Sequence, residues 1–457
     1  MGDEVIINKG YLDDLGLVDM ITLPIFLVVL LVYVSIHKNK NISTNNFYRY
    51  FPWAVYAKLL GVISFCFVFT YYYKGGDTIS YYESCRAFSN LLWERPADFI
   101  NVMLGDGNFE NYCLFSARTG YPWAYIFMEP RTLFLAKIFS PIVFISFNSY
   151  LISSILISMI SFVGIWKIYK LLVKYYPQFS KEIAICILFF PTAVFWGSGM
   201  LKDTVTLSAF CWFVVGFENA VIRRVHLFKN IIILLVAGYM ILAIKPYILM
   251  AAIPGLITWM LYAPISKIKN GFLKFLAIPF VLSISIVGGI LILYNLGDRL
   301  GKFSLNNIIE TAVVTQDDLK RDYYKGSSFD IGKIESTPTG ILSKAPVAIV
   351  AGLFRPFIWE ARNVTTLLSG IENLLILLLV IVCLLRLKIF GLFKYLFDHP
   401  ILLFFFLYSV LFAFSIGIST SNFGALIRFK IAFAPFFIFV FFIVFRLSGS
   451  KFKNKIR

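Results

Sequence analysis

In the stretch FWGSGMLKDTV, Phe195 to Val205, a lysine and an aspartate stand side by side behind a Gly-Ser-Gly triplet, in the middle of a long apolar region. Charge near a bilayer is costly, so such an interruption must serve as a helix end, a functional site, or both. Adjacent residues on a helix do not face each other, so Lys202 and Asp203 cannot neutralise one another and each needs another partner. Asp203 can cap the helix that follows. Lys202 either snorkels into outer headgroups or meets an anion.

Three further stretches offer comparable chemistry. In GGDTISYY, Gly75 to Tyr82, the glycines release the backbone from the preceding helix. Asp77 then stands at the membrane surface with Tyr81 one helical turn on, and is either the cap of a helix beginning at Thr78 or a general base. In LFRPFIWEARN, Arg355 precedes a proline and should sit on extended backbone, with Glu360 and Arg362 close to Trp359. This stretch reads equally as an interfacial anchor. In SNFGALIRFKIAFAPFF, the residues up to Asn422 can cap a helix whose N-terminal amides favour an anion, and Arg428 and Lys430 lie in its first turns. An arginine buried there is a natural phosphate ligand, because its planar fork binds two oxygens at once. Lys202, Arg355, Arg428 and Lys430 could thus ring one anionic group, with Asp77 or Asp203 nearby as base and Tyr81, Glu360 and Asn422 as further substrate contacts. The three histidines, His37, His226 and His399, all fall at the opposite ends of spans, so acid–base work is left to carboxylates.

The elements that must position these groups are membrane helices. Of the 457 residues 59% are hydrophobic, and the mean hydropathy is +0.80, above the apolar share of about 45–50% usual in soluble domains. Apolar runs fall near 20–36, 52–72, 149–170, 182–198, 203–222, 230–244, 247–263, 273–294, 371–389, 399–417 and 430–447. The fold expected is an all-α polytopic membrane protein with about eleven transmembrane helices, forming one integral domain over residues 1–457. The net charge of +17 lies in short clusters between spans, not on basic, aromatic-interleaved faces, which argues against nucleic acid. Every second junction is basic, which places the acidic N-terminus outside and the C-terminus in the cytoplasm.

On that parity the large segments 73–148 and 297–370 are outer loops. Each carries an apolar piece too short to pair as a crossing, Phe134 to Phe147 and Pro346 to Phe357, expected to be interfacial or re-entrant helices. Cys85 and Cys113 are the one loop pair among six cysteines and could form a disulfide in an oxidising compartment. Inner loops are too short for a nucleotide-binding domain, and neither a GxGxxG nor a P-loop pattern occurs.

The order of these features resembles the GT-C class of membrane glycosyltransferases and, more loosely, bacterial polysaccharide polymerases and O-antigen ligases. GGDTISYY looks like the catalytic acidic start of the family's first outer loop, which carries that role onto Asp77. FFPTAVFWGSGMLKDTVTLSAF looks like its proline-containing span followed by an acidic helix start, here Asp203. SNFGALIRFKIAFAPFF is similar to a late polymerase span that brings a basic residue, here Arg428, to the lipid phosphate. The acidic loop follows the second span, not the first, and Asp77 has no paired acidic neighbour. The resemblance implies a multi-pass enzyme of the inner (plasma) membrane. Its partners would be a polyprenyl-linked sugar donor, a saccharide or lipid-linked acceptor, and membrane lipids. It fixes no cofactor and no metal ligands, with a divalent metal left open. The rivals are a repeat-unit polymerase, a non-catalytic subunit, and a flippase or transporter of lipid-linked sugars. A transporter would be marked by internal repeats and midplane charges, and neither is evident in the sequence.

Overall fold

The computed structural model describes residues 17–266, 328–332 and 337–455, together with 279–281, 283–284 and 314. Among these residues the chain is helical, and its β content is two isolated bridges. Eight helices are long and apolar enough to cross a membrane: Ile21–Ile42, Asn46–Tyr72, Tyr150–Tyr175, Lys202–Ile222, Leu227–Ile244, Tyr247–Ile265, Val364–Asp398 and Pro400–Ser419. The last expected span is instead a bent pair, Phe423–Lys430 and Ala434–Gly449, at 60° to each other, and makes a ninth if the pair is one span. The run at 182–198 does not form one helix, because the chain leaves helical structure before Pro191, whose ring cannot continue the preceding hydrogen-bond ladder. The run at 273–294 lies almost wholly outside the described residues. The chain is an all-α polytopic membrane protein, with eight or nine crossings among the described residues where eleven were expected.

The chain divides into two compact units, Met1–Trp166 with Val194–Ser208, and Lys167–Ala193 with Ala209–Arg457. The first contains α1 (Leu17–Ile42), α2 (Phe51–Phe67), α3 (Asp77–Glu94), α4 (Pro96–Leu104), α5 (Phe109–Tyr112), α6 (Ala124–Phe127), α7 (Pro130–Ile145) and the start of α8 (Tyr150–Tyr175). The expected loop 73–148 is a folded helical layer with a core of its own, in which Phe88, Leu91, Phe115, Phe127 and Leu133 are buried together. The short apolar piece at Phe134 to Phe147 belongs to α7, which packs on α3. Cys85 is buried on α3, its thiol reaching the Ala136 carbonyl, while Cys113 is exposed, so the two do not form the expected disulfide.

The Gly-Ser-Gly turn presses against α2. A Cβ at Gly61 would lie 2.4 Å from the Val194 carbonyl oxygen, and one at Gly199 would lie 2.1 Å from the Phe65 ring. The Val194 backbone reaches α2 at Gly61 and the Phe65 ring of α2 reaches the turn at Gly199, so the glycines serve contact as well as turning.

The second unit holds α9 (Ser180–Ile187), most of α11 (Lys202–Phe217), α12 (Leu227–Ile244), α13 (Tyr247–Ser266), α14 (Pro338–Ser343), α15 (Ala345–Phe354), α16 (Val364–Asp398), α17 (Pro400–Ser419), α18 (Phe423–Lys430) and α19 (Ala434–Lys455); α10 (Pro191–Trp196) spans the boundary of the two stretches. Its centre is α17, where Phe404 stacks on Trp259 at 5.4 Å, Tyr408 on Phe210 at 4.4 Å and Phe405 on Phe436 at 4.7 Å. α15, the second expected short piece, lies along α17 at backbone contact. A Cβ at Gly352 would be 2.1 Å from the Ala413 oxygen, and one at Gly417 2.0 Å from the Ala348 oxygen. Small residues at a membrane helix contact allow this approach. The expected span end near 389 coincides with a break in α16 at Lys388, whose φ is 54°.

Candidate functional site

In the first unit the two carboxylates expected to act as bases, Asp77 and Asp203, sit at helix starts. α3 begins at Asp77, and the residue before it, Gly76 with φ 110°, occupies the cap position. Asp77 is therefore a first-turn carboxylate, not a cap; it faces solvent and is favoured by the helix dipole. Tyr81, one turn on, is buried and meets the edge of Phe139 on α7, which makes it part of the packing of the layer. α11 begins at Lys202 itself, so Asp203 also lies in a first turn and is only 2% exposed. Lys202 finds the outside partner it needs in Glu129, with Nζ 3.7 Å from Oε2 and both side chains partly exposed. The same Glu129 oxygen accepts the Thr132 amide at 2.8 Å and so caps α7, which fixes where the anion stands.

The exposed edge of this layer carries further groups. Trp123 donates its indole N–H to Glu83 Oε2 at 2.6 Å and its backbone amide to Ser84 Oγ at 3.0 Å. Burial raises the Glu83 carboxyl above its ordinary value, against the Trp123 hydrogen bond and the Arg86 charge. The Tyr125 phenol is raised too, by burial and by the Asp77 and Glu83 charges, while a hydrogen bond with Ser80 acts the other way. Asp77, Ser80, Glu83 and Tyr125 are thus one electrostatic neighbourhood along α3.

In the second unit the cations are arranged differently. Lys430, at the end of α18, is 3% exposed, and its ammonium donates to the Leu353 carbonyl at 2.9 Å, the Arg355 carbonyl at 2.6 Å and Asn373 Oδ1 at 3.0 Å. Three protons meet three acceptors, so Lys430 ties α18 to α16 and to the end of α15, where a phosphate ligand was expected. Arg355 lies on extended backbone as expected, pairs with Glu360 at 3.2 Å and covers the Phe329 ring at 5.1 Å. Glu360 also accepts the Phe357 amide at 2.9 Å. Asn422 caps α18 and takes the Gly424 and Ala425 amides, two of the donors that an anion was expected to meet. Arg428 is half-buried on the same helix. The four expected cations are therefore divided, with Lys202 in the first unit and Arg355, Arg428 and Lys430 in the second.

Several ionisable groups inside the apolar spans were not singled out from the sequence. Lys58, 3% exposed in α2, donates to the Gly197 carbonyl at the turn before Lys202. Glu372 on α16 accepts from Thr192, has a buried oxygen Oε1 with no hydrogen-bond partner, and lies within the field of Lys430. Glu218 is fully buried, paired with Arg223 and Tyr175. The signal was available: a charge inside an apolar run marks a functional or structural tie by its cost alone. Among the described residues no three His, Cys, Asp or Glu side chains converge as metal ligands. Comparison with protein-family models, curated protein sequences and solved structures gives no match.

Proposed function

We propose that this chain is a membrane glycosyltransferase that moves a sugar or oligosaccharide from a polyprenyl-phosphate or polyprenyl-pyrophosphate donor to an acceptor. The transfer takes place at the outer, periplasmic face of the inner membrane, with the N-terminus outside and the C-terminus cytoplasmic. The observation that carries this reading is the display, within one unit, of a solvent-facing carboxylate at Asp77 and a partly exposed ammonium at Lys202. Asp77 takes the proton of an acceptor hydroxyl. The freed oxygen attacks the anomeric carbon, the bond from that carbon to the phosphate oxygen breaks, and the electron pair leaves with the phosphate. Lys202 stabilises the charge growing on that phosphate, the kind of term that contributes most to such steps. Glu129 holds Lys202 in place until the more highly charged phosphate competes for it.

The test is transfer from radiolabelled polyprenyl-phosphate and polyprenyl-pyrophosphate sugars by the purified chain in nanodiscs, with Asp77→Asn beside it. Loss of a general base costs about 10²–10⁴-fold. Equal transfer by a folded, inserted Asp77→Asn protein rules the reading out. One observation favours a flippase as the second reading: the break between α18 and α19, with a buried lysine beside it, is the kind of discontinuous helix that transporters use. Donor movement across a liposome bilayer without any transfer selects it.

A further inference from the structure

The segment Tyr121-Pro122-Trp123-Ala124-Tyr125 leaves three aromatic rings outside the loop core. Trp123 is 46% exposed and Tyr125 52%, with ring centres 6.1 Å apart and planes at 56°. Trp123 is nonetheless rigid, because its indole N–H and its backbone amide are both anchored on α3, at Glu83 and Ser84. Pro122 beneath it is buried, and its carbonyl accepts the Tyr112 hydroxyl at 3.0 Å. Exposed aromatic rings held this firmly are a binding surface, since fixing them in advance removes the entropy that binding would otherwise cost.

The polar partners of the rings indicate the ligand. A lipid belt sets Trp and Tyr among lysines and arginines at the headgroups. Here the rings stand beside two carboxylates and a hydroxyl, those of Glu83, Asp77 and Ser80, with the Arg86 charge acting on Glu83. One indole N–H uses one of the several lone-pair directions of a carboxylate, so Glu83 has capacity for another donor. Apolar ring faces beside carboxylate acceptors match a sugar, which shows a C–H face on one side and hydroxyl donors at its edge.

We propose that Trp123 and Tyr125 form the floor of a saccharide subsite in which Glu83 and Ser80 hold the hydroxyls of an acceptor glycan and direct one of them to Asp77. The delivery to Asp77 rests on the glycosyltransferase reading, whereas the binding stands without it. The acceptor is accordingly a carbohydrate chain, not a lipid or a peptide.

The experiment uses the full chain in nanodiscs over immobilised glucose-, mannose-, galactose- and N-acetylglucosamine-based oligosaccharides. The subsite requires that at least one series is bound, and that Trp123→Ala and Tyr125→Ala each weaken that binding by about tenfold or more, as loss of an aromatic anchor does. Trp123→Phe, which keeps a ring, retains most of the affinity. Failure of every series, or parental binding by both alanine variants, overturns the subsite. Asp77-dependent transfer with an acceptor KM untouched by the alanine variants also overturns it, and leaves the enzyme reading standing. Ring-dependent glycan binding without any transfer does the reverse.

Discussion

Lys202 and Lys430 lie in different units and were expected to do the same work. Their surroundings differ in kind. Lys202 stands 3.7 Å from the Glu129 carboxylate and keeps part of its side chain in solvent. Lys430 is enclosed, and its hydrogen-bond acceptors are two backbone carbonyls and an amide oxygen, all neutral, with the Glu372 carboxylate acting only through its field. Lys58 likewise donates from within a span to a backbone carbonyl, that of Gly197. A membrane lysine bound to neutral acceptors repays its desolvation by tying backbone segments together. One paired with a half-exposed carboxylate holds its charge ready. The distinction separates architecture from site, and neither residue type nor depth along the sequence reveals it.

The sharpest way to break this contrast is Lys430→Met, which keeps the length and removes the charge. Three acceptors are left without a donor, at a cost of roughly 1–3 kcal/mol for each one that stays buried. The variant should lose several kcal/mol of stability and show a large fall in apparent melting temperature by scanning fluorimetry. Adding Asn373→Leu should recover little, because it removes one orphaned acceptor but also takes the Asn373 amide donor from the Pro356 carbonyl. A Lys430→Met protein as stable as the parent means that the ammonium is not a tie. Lys202→Ala is the counterpart. A partly exposed pair contributes about 0–1 kcal/mol, so the melting temperature should barely move. Sugar transfer should nevertheless fall by about 10²-fold, as when one stabilising donor to a developing anion is removed. A change in melting with unchanged transfer would reverse the roles of the two lysines.

Gly199→Ala has a smaller effect, on the geometry that presents Lys202. The added methyl meets the Phe65 ring, itself fully buried and packed against Phe69, Phe195 and Trp196. Overpacking of this kind costs about 1–3 kcal/mol. Melting should drop accordingly, and Phe65→Leu combined with Gly199→Ala should restore it in part.

The spans were legible because a run of twenty apolar residues has few other uses, and all eight long helices lie where the hydropathy places them. The run at 182–198 misled because hydropathy is blind to Pro191, which stops a helix without lowering the apolar count. At the site, helix starts near Asp77 and Lys202 could be read from Gly75-Gly76 and Gly-Ser-Gly, since glycine release is local. The acceptors around Lys430 could not. They come from residues 57 to 77 positions away, two of them backbone carbonyls that every residue type carries. Glu129 escaped for a similar reason, 73 positions before Lys202 and at the end of an aromatic and apolar stretch, Tyr121 to Met128.

The smallest effect tests whether the displayed groups of the first unit bear a cost for their placement. Burial raises the Glu83 carboxyl above 4.5, and the Trp123 hydrogen bond only partly offsets it. Between that value and the raised one, the folded chain binds more protons than the unfolded chain, so stability falls as pH rises through this acidic window and then stays level. Glu83→Gln remains neutral at every pH and can still accept the indole N–H. The variant should therefore gain on the parent as pH climbs through the window, by less than about 1 kcal/mol because solvent reaches the group. Melting scans of both proteins from acid to neutral pH read the effect. A difference that opens only in the acidic range identifies a carboxylate kept in a poor position for ionisation, which enclosure by neutral acceptors would not produce. A constant difference means that Glu83 is as well solvated as in the unfolded chain, and the contrast between displayed and enclosed groups would then rest on the lysines alone.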